Sequence, residues 1–167
     1  MCGIVAVVSK RKALPVLLAG LNALAYRGYD SAGVALIDNN KSDKLDVIKA
    51  EGKLENLVKK LGDIEIYNQT IGIGHTRWAT HGKPDQRNAH PHRDLTGQIA
   101  VVQNGIIENY RSLRKDLELE GVVFASDTDT EVIPHLIARQ INILVRQGRD
   151  VNDTLLLEAV KRVSTFL

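Results

Sequence analysis

The single cysteine of this chain stands at position 2, directly before Gly3. Methionine aminopeptidases cut before small side chains, so removal of Met1 would place a thiol and a free α-amine on one residue, Cys2. A thiol with pKa about 8.5 is mostly protonated near neutrality, whereas an α-amine titrates near 7.7 to 8.0. The amine can therefore take the thiol proton and later return it to a leaving group, as in N-terminal threonine nucleophiles. A lone cysteine is more often an inert, buried side chain, so the rest of the polar residues must decide between the two.

Those residues gather in four segments: Arg27 to Gly33, His75 to Gly82, Gln103 to Asn109 and Ser126 to Glu131. All fall at the ends of expected strands, where scaffolds present chemistry. Each also has a local explanation. The first is compatible with a turn after a helix, Asn104-Gly105 is a strong hairpin-turn signal, and the local pattern around Asp129 favours a helix N-cap. His75, His81, His90 and His92 fall in one stretch and invite a metal site, but they lack the i, i+4 pairing of a zinc hydrolase motif. No metal is expected there. Asp127-Thr128-Asp129 lacks the glycine and downstream glutamate of an EF-hand loop, so calcium is not expected either.

The bounds on the whole chain are modest. With 167 residues, 44% hydrophobic and 25% charged, one globular domain with a real core is expected. Lys+Arg 22 against Asp+Glu 20 gives a net charge of +2, too balanced for a nucleic-acid binder. One cysteine excludes an intrachain disulfide. The apolar run Ile4 to Val8 has neither the basic flank of a signal peptide nor the length to span a membrane. A cytoplasmic location is the expectation, with no membrane partner.

The elements that must position the four segments alternate short β-branched runs with amphipathic helices, the pattern of an α+β protein. Ile4 to Val8 reads as a strand buried on both faces, and Ala13 to Ala25 as a core-facing helix. Val34 to Ile37 and Leu45 to Ile48 read as a hairpin turning through Asp38-Asn39-Asn40. Leu54 to Leu61 is a short helix stopped by Gly62, and Ile71 to His75 a strand leading into a polar loop. Ile99 to Val102 is a strand, and a helix around Leu113 and Leu117 closes at Gly121. Val122 to Ala125 is a further strand, followed by a long helix after Asp129 and a last helix from about Asp153. No linker divides residues 1–167, which form one domain.

Met1-Cys2-Gly3-Ile4-Val5, taken with the four segments in this order, resembles the glutaminase domain of the glutamine:fructose-6-phosphate aminotransferase family among the class II, N-terminal-cysteine glutamine amidotransferases. Tyr29 and Trp78 point to that member of the class. The resemblance implies the N-terminal-nucleophile hydrolase fold, a four-layer αββα sandwich of antiparallel sheets. It implies hydrolysis of the side-chain amide of L-glutamine through a Cys2 thioester, with Asn104 and Gly105 as the oxyanion site. Arg77 and Asp129 would hold the α-carboxylate and α-ammonium of glutamine, Thr80 and His81 would complete the carboxylate end, and Trp78 would lie in a loop closing over the substrate. Arg27 would order the catalytic N-terminus. No cofactor is implied.

In the full-length enzyme of that family, two sugar-isomerase lobes bind fructose 6-phosphate, use the ammonia to make glucosamine 6-phosphate, and the protein is a homodimer. Those lobes are absent here, and the apolar end through Phe166-Leu167 reads as a cut chain, so the amidotransferase domain is expected to be incomplete at its C-terminus. Two alternatives stay open: a stand-alone glutaminase subunit, and an inactive remnant that keeps the pocket. Asp127 replaces a glutamate usual in the family, with little effect expected.

Overall fold

The computed structural model describes residues 2–37, 45–79 and 82–167, apart from the side chains of Arg27 and Asp153. Its main sheet is antiparallel, in the order β1-β4-β2-β3, from β1 Gly3–Val8, β2 Ser31–Ile37, β3 Asp46–Glu51 and β4 Ile71–Arg77. A two-stranded ribbon, β5 His92–Arg93 and β6 Ala100–Val101, lies over its other face. Helices α1 Ala13–Leu24 and α2 Leu54–Leu61 cover one side, while α3 Tyr110–Leu119, α4 Val132–Arg146 and α5 Asp153–Val163 cover the ribbon. The layers are therefore helix, sheet, sheet, helix, with the second sheet reduced to its ribbon.

Local sequence accounts for most of these elements. Leu14, Leu17 and Leu21 recur at helical spacing and are completely buried against the main sheet. Pro15 sits in the first turn of α1, where its missing N–H removes no intrahelical bond. Helix α2 stops at Gly62, which takes the positive φ of 68° that a side chain would resist. Asn152 caps α5, its side chain accepting the Thr154 N–H at 3.0 Å. The expected hairpin is present as the β2–β3 pair, with Val34 opposite Ile48. Its turn residues, Asp38 to Asn40, lie outside the described residues.

Three expectations are corrected. Strand β1 is not buried on both faces: Ile4, Ala6 and Val8 face outward while Val5 and Val7 pack against α1. Among the described residues it pairs only with β4 and lies at the edge of the sheet, a position that composition does not reveal. The expected strand Val122 to Ala125 does not form. Instead, the Ala125 and Ser126 N–H groups donate to the Glu131 carboxylate at 2.8 and 2.7 Å, which satisfies the backbone without a strand partner. The expected strand Ile99 to Val102 shrinks to Ala100–Val101, with β5 as its partner from within what read as polar loop.

Two apolar clusters result, one of α1, α2 and the main sheet, the other of α3, α4 and α5. A buried polar layer including His75, His90, His92, Ser126, Thr128 and Glu131 lies between them. The close approach of the layers is set by Gly33 on β2: a Cβ there would fall 2.2 Å from the His90 carbonyl oxygen. Because that neighbour is backbone, it cannot swing aside. Gly33→Ala in the full-length protein is expected to lower stability by about 2–3 kcal/mol, read as a shifted denaturation midpoint; an unshifted midpoint would contradict the contact.

Beside this layer a groove of about 550 Å³ opens between β2 and β4 on one side and α4 and α5 on the other, with Ile71, Ile73, Ile137 and Leu155 on its walls. Among the described residues no helix is long and apolar enough to cross a membrane.

Candidate active site

Sheet register brings the first two of the four polar segments to the beginning of the chain. Strand β1 runs antiparallel to β4 with Gly3 opposite Thr76, so Cys2 emerges beside Arg77 and Trp78. The Trp78 N–H donates to Cys2 Sγ at 3.1 Å, and Gly3 N–H donates to Thr76 Oγ1 at 3.1 Å. On the other side of β4, Ser31 stands opposite Arg77, and the Asp30 N–H donates to the Arg77 carbonyl at 2.8 Å. The Asp30 carboxylate in turn accepts from the Ala79 N–H and from the Ser31 hydroxyl. The end of β4 is thereby held from both sides.

Alternation along β4 sends His75 and Arg77 to one face and Thr76 to the other. Arg77 is buried, and burial lowers its pKa against the raising influence of Asp30, Cys2, Asp85 and Asp129. A guanidinium stays charged in proteins, so it is a cation facing several anionic groups. Trp78 is half exposed, with its ring edge over Gly28; a Cβ at Gly28 would lie 3.1 Å from that ring.

The third and fourth segments approach from the opposite layer. Asn104 is exposed, yet its side chain is tied at both ends: Nδ2 donates to the Cys2 carbonyl at 3.2 Å and Oδ1 lies 2.8 Å from His75 Nε2. Among the described residues neither Asn104 nor Gly105 has positive φ, so Asn104-Gly105 is not the hairpin turn that its dipeptide suggests. Asp129 does not cap α4. Its Oδ2 accepts the Ile107 N–H at 2.8 Å and its Oδ1 the Thr130 N–H at 2.9 Å, tying the third segment to the fourth. Thr130 adds a hydroxyl donated to Gln103 Oε1 at 2.8 Å.

The polar layer behind these groups stays uncharged at its imidazoles. Burial pushes His75 down to about 4 and His92 to about 3, and it drives His90 lower still, aided by the neighbouring His92 and His75. The His75 and His90 rings stack at 4.4 Å, and His92 meets His90 edge-on at 4.5 Å. His92 Nε2 lies 2.9 Å from Thr128 Oγ1. Burial alone would raise Glu131, but the His135 imidazole 3.7 Å away and hydrogen bonds from the Ser126 hydroxyl and the Ala125 N–H outweigh it and hold the carboxyl at about 2. Glu131 thus braces the segment carrying Asp129. Asp127 pairs with Arg87 at the surface, away from this brace.

Cys2, Arg77, Trp78, Gly105 and Asp129 line one pocket of about 40 Å³, joined by His75. The cavity is small, on the scale of one water molecule. Asn104 reaches Cys2 from its rim. Thr80 and His81, and the side chain of Arg27, lie outside what the structure describes. Residues without an assigned role in the sequence reading, Asp30, His75 and Glu131, prove central to the local geometry. For His75 a signal existed, since period-2 alternation puts it on the same face as Arg77.

A family model for the glutamine amidotransferase domain matches residues 60–147. The chain is 57% identical over 138 residues to a glutamine–fructose-6-phosphate aminotransferase [isomerizing] of Gloeobacter violaceus, covering 83% of this chain and 22% of that protein. It is 53% identical over 162 residues to the protein of the same name from Thermosynechococcus vestitus, covering 97% and 24%. The chain thus spans roughly a quarter of the length of these curated relatives. Among solved structures, glutamine phosphoribosylpyrophosphate amidotransferase of B. subtilis aligns over 100% of this chain and 33% of its own, with TM-score 0.73 and 26% identity. The α+β fold with antiparallel sheets is that of the N-terminal-nucleophile hydrolases.

Proposed function

From the premise that the chain belongs to the glutamine amidotransferase domain family, we propose that it hydrolyses the side-chain amide of L-glutamine with Cys2 as nucleophile. The observation that carries this is the meeting of Cys2 Sγ, Arg77, Gly105 and Asp129, drawn from distant parts of the chain, around one pocket.

The chemistry follows from those groups. The α-amine of Cys2, free once Met1 is removed, takes the thiol proton, and the sulfur adds to the amide carbonyl of glutamine. The oxygen becomes an anion, which needs donors already in place. Asn104 Nδ2 carries two hydrogens, of which one is engaged with the Cys2 carbonyl; the other, with the Gly105 N–H, serves the oxyanion. Collapse of this intermediate breaks the C–N bond, the protonated amine gives its proton to the departing nitrogen, and ammonia leaves. Water then cleaves the γ-glutamyl thioester to glutamate and the free thiol.

At the other end of the substrate, the Arg77 fork pairs with the α-carboxylate and Asp129 with the α-ammonium. Asp129 can do this while bonded to Ile107 and Thr130, since a carboxylate accepts about four hydrogen bonds. Trp78 closes over the bound amino acid, Thr80 and His81 complete the carboxylate end, and Arg27 orders the N-terminus. The relatives' name supports a further step in the whole protein: ammonia passes to fructose 6-phosphate, giving glucosamine 6-phosphate, in lobes outside these residues. A cytoplasmic homodimer fits that role.

Steady-state kinetics of the full-length protein separate the assigned parts. Arg77→Ala and Asp129→Asn are expected chiefly to raise KM for glutamine. Asn104→Ala is expected to lower kcat by about 3 kcal/mol, on the order of a hundredfold. A change in KM alone for Asn104→Ala, with kcat alone altered by Asp129→Asn, would reverse these roles and sink the reading.

A further inference from the structure

We propose that His75 is a positioning residue that fixes the orientation of the Asn104 amide toward Cys2. This rests on the proposed role of Asn104 as an oxyanion donor. The carbonyl of Cys2, 3.2 Å from Asn104 Nδ2, can only accept a hydrogen bond, so the amide nitrogen must face it. The amide oxygen then faces His75 Nε2 at 2.8 Å, and because that oxygen also only accepts, Nε2 must carry the hydrogen. Atom assignment of an asparagine amide is thus settled by the chemistry of its two neighbours. Half a turn about the side chain would set two oxygens against each other at Cys2.

The surroundings hold the imidazole in that role. Its ring is completely buried and stacked on His90, so it has little freedom to turn away from Asn104. Donation from Nε2 leaves the second N–H of Asn104 in a set direction before substrate arrives. Oxyanion sites work through donors that need no reorganisation at the moment of reaction. His75 sits on β4 two residues before Arg77, so one rigid strand aligns both the oxyanion donor and the carboxylate clamp.

His75→Phe in the full-length protein keeps the ring and the stack and removes the donor. The expected result is a fall in kcat of about tenfold or more with KM for glutamine within about threefold. His75→Gln, which restores an N–H, is expected to recover most of the loss; a part that merely fills space would be better served by phenylalanine. Full kcat in His75→Phe, or a KM rising in step with the lost kcat, overturns the proposal. A second measurement needs no variant: nitrogen-15 NMR of the histidine-labelled wild type at pH 7 should show a protonated Nε2 and a bare Nδ1 for His75, and the opposite tautomer overturns the proposal. If the wild type releases no ammonia from glutamine, the functional reading fails, while the tautomer still reports on the His75–Asn104 bond by itself.

Discussion

Cys2→Ser in the full-length protein is expected to cut ammonia release from glutamine by about a thousandfold or more. A hydroxyl is far harder to deprotonate than a thiol, and an α-amine with pKa near 8 has little power to do it. The pocket should survive the change. Serine differs by one atom, and the Trp78 N–H that donates to Cys2 Sγ can donate to its oxygen instead. Glutamine should therefore still bind, so that calorimetry finds affinity where the assay finds no turnover. Retaining Met1 should be equally damaging, because it turns the basic amine into an amide. A protein with Met1 shown by mass spectrometry to be in place, yet hydrolysing glutamine at the normal rate, would rule out the amine as the base.

A steep loss of stability between about pH 6.5 and 4 is the second large effect expected. His75, His90 and His92 are all buried and all held neutral, with His75 at about 4 and His92 at about 3. The unfolded chain takes up protons on these rings as pH falls through about 6.5, and the folded chain does not. Three protons bound only by the unfolded state correspond to a slope approaching about 4 kcal/mol per pH unit, easing only as His75 titrates near 4. His90 has a specific reason to stay neutral, since its Nδ1 accepts the Gln103 N–H at 3.4 Å. Glu131 adds loss lower down: its folded pKa lies below its usual 4.5, so the stability it contributes is lost as pH falls from there toward 2. Hydrogen-exchange protection of the β4 amides, corrected for intrinsic rates, should collapse between pH 7 and 5. His90→Gln should flatten the dependence by about one proton. Protection unchanged down to pH 5 would contradict buried neutral imidazoles.

Much of the architecture was legible because its causes are local. The leucine spacing of α1, the stop at Gly62 and the β2–β3 pairing are written in neighbouring residues, and the structure has them where they were expected. Val122 to Ala125 shows the opposite case. Its β-branched run favours a strand, but a strand needs a partner, and here the nearest acceptor is the Glu131 carboxylate. Strand β1 misled for a related reason: its composition is that of a central strand, while its place at the sheet edge is set by which strands pair, a long-range choice.

For the site, the sequence by itself determined the chemical inventory: a cysteine next to the chain start, a cation at Arg77, an anion at Asp129 and an amide at Asn104. Residue type fixes what each group can donate, accept or attack, and no folding is needed to know it. Only the tertiary structure decided which groups meet and in what state. The Gly3–Thr76 register places Cys2 beside Trp78, and the packing of the two layers brings Asn104 between Cys2 and His75. Local pattern made Asp129 a helix cap, whereas distant contacts make it a tie between the loop at Ile107 and the start of α4. Charge states belong to the same category, because burial is a property of the packed layers: His75, ordinary in sequence, is neutral and directional only once His90 and Asn104 have closed over the main sheet around it.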